Sequence, residues 1–254
     1  MAGRTPKLLL PIPCASGSET ILRATVRNAL ATRLERVHLV VGHEADAHLA
    51  ALGELVSDPR LRVHRNPLWP EGRSASIRLG FEEAVAAGAE ALCFLCADQP
   101  RVSPAVITRV LDAFERSGAP LAFPLRTDGQ KGNPLVCRAD LREEFEAAAE
   151  GDSGALGFVK SHWDEAAKSP LSGPETVAQR DVDDAADYAA LVAEVAESCA
   201  VPAETSPAPP RWGPPPMESE EGAGEGPPPE EPREPAESGD PLPKLAPEPA
   251  RKLS

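Results

Sequence analysis

No run in this 254-residue chain approaches the roughly 20 consecutive apolar residues that a membrane-spanning helix needs. A secretory leader is missing too, since Lys7-Leu8-Leu9-Leu10-Pro11 is too short for an apolar core region. The chain also lacks a disulfide framework. Its five cysteines are an odd count, and Cys93 and Cys96 sit inside an apolar run. Those two have the CxxC spacing of a zinc or redox site, but no second ligand pair accompanies them, so they read as strand residues. Positive charge is in deficit. A net charge of −14 excludes a general nucleic-acid binder, which needs a basic face. These absences leave a cytoplasmic protein with no membrane and no nucleic-acid partner.

What is present is unevenly distributed. The segment 199–254 holds 16 of the 29 prolines and almost no aliphatic residues, with runs such as Pro227-Pro228-Pro229-Glu230-Glu231. Such a composition cannot bury enough apolar surface to offset ordering entropy of about 1–2 kcal/mol per residue. It reads as a disordered Pro/Glu-rich tail, in places with polyproline character. Residues 1–198 read as one α/β domain.

Short apolar runs alternate with helical patterns across that domain. Strands are expected at 37–42, 61–64, 91–96, 121–124, 135–137 and 176–178. Helices are expected at 19–31, 45–56, 74–87, 104–117, 141–149 and 185–196. Ser103 is suited to cap one of them and Pro104 to its first turn. The alternation predicts a mostly parallel, Rossmann-like sheet with helices on both faces. Ligands of such sheets bind at the carboxyl ends of the strands.

Asp98 follows the most apolar run, where it can hold a metal ion or cap the next helix. Asn66 to Ser76 is polar, contains Gly72 and runs into a helix start, a place that attracts phosphates or base edges and is equally an ordinary capped loop. Gly129-Gln130-Lys131-Gly132-Asn133-Pro134 reads as a tight turn or as a backbone surface that a substrate approaches closely. Gly151-Asp152-Ser153-Gly154 places another acid before a helix. Asp181, Asp183 and Asp184 cluster at the end of the last expected strand, as they would at a solvated helix start.

Taken in order, these fragments resemble the MobA-like nucleotidyltransferases, and within them the molybdenum cofactor cytidylyltransferase branch. That branch typically shows LAAGxSxRMGxxKLLLP, a VVxG strand end, NPxWxxGxxxSL, DQP, a GxxGxP turn, GDxGAR and DIDTPEDY. Here stand Met1 through Pro11, Val40-Val41-Gly42, Asn66-Pro67-Leu68-Trp69 with Gly72, Ser74 and Ser76, then Asp98-Gln99-Pro100. Gly132-Asn133-Pro134, Gly151 through Ala155, and Asp181 through Tyr188 follow. The correspondence spans about residues 1–192. There are departures. The leading strand and the LAAGxSxR segment are absent, because the chain begins where the family's Arg-Met-Gly would be. Leu156 stands for the arginine of GDxGAR. Asp184-Ala185-Ala186 replaces Thr-Pro-Glu, and Asn133 precedes Pro134 where the branch often has His.

The resemblance implies attack by a substrate phosphate on the α-phosphorus of an NTP, CTP in this branch, with release of pyrophosphate. Mg²⁺ and positioned cations would counter the repulsion between two anionic partners. By the same resemblance, Asp98 and Asp183 hold Mg²⁺, and Lys7 and Gly3 serve the triphosphate. Asn66, Gly72 and Ser76 border base and ribose. Gly132, Asn133 and Asp152 face a phosphorylated acceptor such as molybdopterin, with a molybdenum enzyme as a further partner. Without its leading strand, the sheet would leave neighbouring strands with unpaired edges; the expected account is a start set downstream of the true one, with a real truncation as the alternative. Two other functions remain compatible with the sequence: a non-catalytic nucleotide- or cofactor-binding chaperone, and an interaction protein acting through its Pro-rich tail.

Overall fold

The computed structural model describes residues 5–148 and 155–199, all within the first of two units, Met1–Gly213 and Pro214–Ser254. Gly3, Asp152 and the Pro/Glu-rich tail lie outside the described residues.

A short turn over Lys7–Leu9 leads into an antiparallel hairpin, β1 (Pro11–Cys14) and β2 (Gly17–Thr20). The hairpin is missed by pattern reading, because two of the four β1 residues are prolines that cannot donate to a ladder. Thr20 ends β2 and caps α1 (Ile21–Leu30), its Oγ1 accepting the Arg23 N–H. β3 (Val37–Val41) follows, then α2 (Ala45–Leu52), then β4 (Leu61–Arg65), which pairs parallel with β3 in the register Val37↔Leu61. α3 (Arg73–Ala86) packs back on β3. β5 (Ala91–Phe94) leads to α4 (Pro104–Ser117), capped by Ser103 as expected.

β6 (Leu121–Leu125), β7 (Leu135–Arg138), α5 (Arg142–Ala148), α6 (Leu156–Ser161) and β8 (Ala167–Pro170) come next, in a sheet of order β5-β7-β6-β8. Two helical elements close the domain: the short α7 (Gly173–Val177) and the longer α8 (Ala185–Cys199).

The α/β class and helix alternation match the expectation, but the strand directions are mixed. β7 runs antiparallel to both β5 and β6. The turn between β6 and β7 is too short for a parallel crossover, which takes a dozen residues or more. The strand expected at 176–178 is instead the end of α7. Pro174 at its start and a Ser172–Glu175 capping box impose a helix there. The eighth strand lies earlier, at Ala167–Pro170, where Ala122↔Ala167 pairs it parallel to β6.

Among the described residues no ladder joins β3–β4 to the four-stranded sheet. Among the described residues, β3 pairs only with β4 and β5 only with β7. α1 spans that boundary. Buried Asn28 donates from Nδ2 to the Pro100 and Val102 carbonyls, and Thr25 Oγ1 donates to the Ala97 carbonyl. These bonds fix the segment after β5 against α1. The aromatic core lies on the other side, where Phe81, Phe123, Phe145 and Phe158 are fully buried and Phe145 contacts Phe81 and Phe158 at 5.4 and 5.1 Å between centroids. Burial of each ring contributes about 1.5–3 kcal/mol, which anchors β5–β7 beneath the loops that carry the polar residues.

Candidate active site

Three residues far apart in sequence meet at one point. The Lys7 Nζ donates to Asp98 Oδ2 at 2.8 Å and to Asp183 Oδ1 at 3.1 Å. The turn over Lys7–Leu9 presents the lysine, the segment after β5 presents Asp98, and the approach to α8 presents Asp183. Partial burial of Lys7 opposes its charge, but hydrogen bonds and charges of Asp98 and then Asp183 outweigh it and raise its pKa. Lys7 is therefore a fixed cation at neutral pH.

The acidic cluster 181–187 divides by task. Asp184 Oδ1 accepts the Ala186 and Asp187 N–H groups, and Asp187 Oδ2 accepts those of Asp183 and Asp184. These two acids are spent on the start of α8, as the helix-start reading expected. Asp183 is left to face Lys7. Asp181, itself exposed, accepts from Gln99 Nε2 at 2.7 Å. Desolvation, together with the neighbouring charges of Asp98 and Asp183, raises the Asp181 pKa against the opposing effect of the Gln99 bond and Lys7.

Asp98 and Asp183 converge on a single cation with hard oxygen donors, the chemistry that Mg²⁺ or Mn²⁺ requires. Among the described residues no three His, Cys, Asp or Glu groups are posed to hold an ion by themselves. Two carboxylates with the remaining positions left to substrate phosphates and water is the usual arrangement for Mg²⁺.

A buried polar network adjoins these acids. Asn133 receives Lys131 Nζ at its Oδ1, and its Nδ2 donates to Gln99 Oε1 at 2.8 Å and to Cys96 Sγ. Its backbone N–H donates to Gln179 Oε1 at 2.6 Å, and Gln99 Nε2 also reaches the Gln179 carbonyl. Gly132 lies so close to Gln179 that a Cβ there would stand 3.0 Å from its Oε1. Gly132 and Asn133 are thus tied to Gln99, the chain neighbour of Asp98. Gln99, Lys131, Gln179 and Asp181 complete the cluster; Lys131 and Asp181 stood inside segments noted in the sequence, but none of the four was given a role. Gln99 could have been found, being part of Asp98-Gln99-Pro100. Gln179 was hidden by the strand expected at 176–178.

Asn66, Gly72 and Ser76 form a second group, after β4. Asn66 is only 4% exposed. Its Nδ2 donates to Ser76 Oγ at 2.9 Å, and its Oδ1 accepts the Leu68 N–H. The side chain holds the loop from within rather than lining its surface. Gly72 has φ +104°, which favours glycine at the entry to α3. The exposed residues of this loop include Leu68 and Trp69, and the Trp69 ring leans on His43 at 4.8 Å. Trp69 also covers Gly42, where a Cβ would meet it at 2.4 Å, so the glycine after β3 is required by close approach. The Arg73 charge acts on Cys96, which brings the start of α3 toward the end of β5.

Two acids and a lysine brought together on an α/β frame are a site of the kind that handles phosphates through a divalent ion. The match to the MobA-like NTP transferase domain covers residues 1–167, so the chain belongs to that family and is a nucleotidyltransferase. Among solved structures it is similar to a nucleotidyl transferase from Methanothermobacter, at 24% identity and TM-score 0.60 over 76% of this chain and 86% of that one. It is also similar to Rv0371c from Mycobacterium tuberculosis H37Rv, at 26% identity and TM-score 0.61 over 76% and 94%. That protein has also been solved in complex with manganese. A likeness in fold alone extends to 2-C-methyl-D-erythritol 4-phosphate cytidylyltransferase from Thermus thermophilus, at 17% identity and TM-score 0.52 over 75% and 93%. A comparison with curated proteins found no match. No helix among the described residues is long and apolar enough to cross a membrane.

Proposed function

We propose that the enzyme transfers CMP from CTP to a phosphorylated small molecule of the molybdopterin type and releases pyrophosphate. An acceptor phosphate oxygen bonds to the α-phosphorus while the bond from that phosphorus to the bridging oxygen of the β-phosphate breaks. The single observation that carries this reading is the meeting of Lys7, Asp98 and Asp183. Asp98 and Asp183 hold the divalent ion, Mg²⁺ in this reading, which would supply charge neutralisation at the reacting phosphates. The manganese complex of the mycobacterial relative supports a divalent ion. The Lys7 ammonium is placed to take phosphate oxygens once the carboxylates bind metal, where charge accumulates in the transition state. The loop of Asn66, Gly72 and Ser76 borders base and ribose, and Gly132 and Asn133 border the acceptor. Cys14, Cys93, Cys96 and Cys137 are all unpaired, which supports a cytoplasmic setting. A molybdenum enzyme would receive the product.

The test is release of pyrophosphate from CTP, GTP and ATP with molybdopterin and with simpler phosphomonoesters, in Mg²⁺ and in Mn²⁺. The expected result is turnover dependent on metal and acceptor, with CTP preferred. Equal turnover of all three nucleotides would overturn the cytidylyl assignment, and no acceptor dependence would overturn the transfer.

A further inference from the structure

The turn between β6 and β7 carries a cation that the reaction as described does not use. Lys131 bridges back to Leu125 across this turn, and Gly129, with φ +79°, closes it. The Lys131 side chain is half-buried, and its Nζ donates to the Gly132 carbonyl at 3.0 Å and to Asn133 Oδ1 at 2.9 Å. Both acceptors are neutral. Among the described residues no carboxylate lies within ion-pair distance of this nitrogen, and one of its three N–H bonds has no acceptor. Many other lysines and arginines of the domain have an acidic partner, Lys7 included.

A cation withdrawn from water without a counter-charge is costly. Desolvation accordingly lowers the Lys131 pKa, with Cys96 and Asp181 acting the other way. The side chain is held in place, because Asn133 is itself fixed at three points by Gln179, Gln99 and Cys96. The network runs on through Gln99 to Asp181, whose carboxyl senses Asp98 and Asp183. Lys131 is thus a pre-positioned, uncompensated ammonium tied by a rigid polar chain to the point where Lys7, Asp98 and Asp183 meet.

We propose that Lys131 is the anchor of an anion subsite and binds the phosphomonoester group of the acceptor. This inference rests on the nucleotidyl-transfer reading above and assigns a residue, Lys131, to the phosphate end of its acceptor. The unused N–H of Lys131 supplies a charge-assisted bond to that phosphate, and Asn133 and Gly132 hold the ammonium toward it.

The experiment titrates inorganic phosphate and glycerol 3-phosphate into the full chain by calorimetry, with and without a saturating non-hydrolysable CTP analogue and Mg²⁺. Lys131→Met should weaken both phosphates by about tenfold or more, the scale of one lost hydrogen bond to a charged group. Lys131→Arg should keep them within a few-fold. The affinity for the Mg²⁺–CTP analogue should stay within about twofold of wild type in both variants. Unchanged phosphate affinity in Lys131→Met overturns the subsite. So does an equal loss of phosphate and nucleotide affinity, which would mark a structural role. If the wild type binds phosphate through Lys131 but binds no nucleotide, the subsite stands and the nucleotidyl-transfer reading falls.

Discussion

Between β4 and α3 the chain exposes Leu68 and Trp69 on a loop whose internal support is one asparagine side chain. Between β6 and β7 it exposes little that is apolar, and Asn133 is cross-linked to Gln99, Gln179, Cys96 and Lys131. One loop takes its side-chain hydrogen bonds from a single residue, Asn66, and offers a partly exposed aromatic face. The other is a closed polar lattice with both glutamines at 5% exposure or less. Cross-links of this density specify one geometry, which suits recognition of a small, fixed group such as a phosphate. A loop with fewer side-chain bonds adapts to a larger, flatter group such as a base.

Four substitutions and one truncation test that contrast. Asp98→Ala, which removes one of the two carboxylates that meet Lys7, should lower pyrophosphate release by about 10²–10³-fold, the scale of losing a main electrostatic stabiliser. Metal-dependent nucleotide binding, followed by calorimetry, should be lost with it. Gln179→Leu leaves the buried Asn133 N–H without an acceptor and should cost about 1–3 kcal/mol. The urea midpoint should fall at constant m-value; an unchanged midpoint would show that the lattice is not rigid. Asn66→Ala removes two bonds inside the β4–α3 loop and should cost about 1–2 kcal/mol. Its nucleotide affinity should fall while its phosphate affinity holds. Trp69→Ala, at an exposed ring, should leave stability within about 0.5 kcal/mol yet weaken nucleotide binding several-fold, read by competition with a fluorescent CTP. Truncation after residue 198 should move the melting temperature by no more than a few degrees and change neither affinity.

Much of the frame was legible. β3, β4, β6 and β7 fall where apolar runs place them, and Ser103-Pro104 marks the start of α4. The β5 run extends to Cys96 in the sequence, but the strand stops at Phe94, because the segment beyond it turns to meet α1. Patterning misled at Thr176 and Val177, where β-branched residues suggested a strand and the capping box just before them decided for helix. β1 was hidden by its prolines. For the site, Lys7, Asp98 and Asp183 were identified through motif order, which no periodicity supplies. Asn66 was identified with its group, but its amide is turned into the loop, and the exposed Trp69 beside it carries the open surface. Lys131 stood out only as part of a glycine-flanked turn, and Gln179 gave no local signal, because their contacts arise only across the fold.

The meeting of Lys7 with Asp98 and Asp183 has a consequence for how the chain acquires activity. The two bonds join residues separated by 91 and 176 positions. Tyr188 on α8 reaches back to the Pro11 carbonyl and fastens the same closure. Ring closures of this length are entropically among the most demanding contacts in the domain, although their cost rises only slowly with length. A ribosome must therefore deliver α8 before the three side chains can meet, and a nick that frees α8 dissolves the centre even where the sheet survives. With the site proposed above, catalytic competence is a late reporter of folding, expected to appear after secondary structure and to vanish before it.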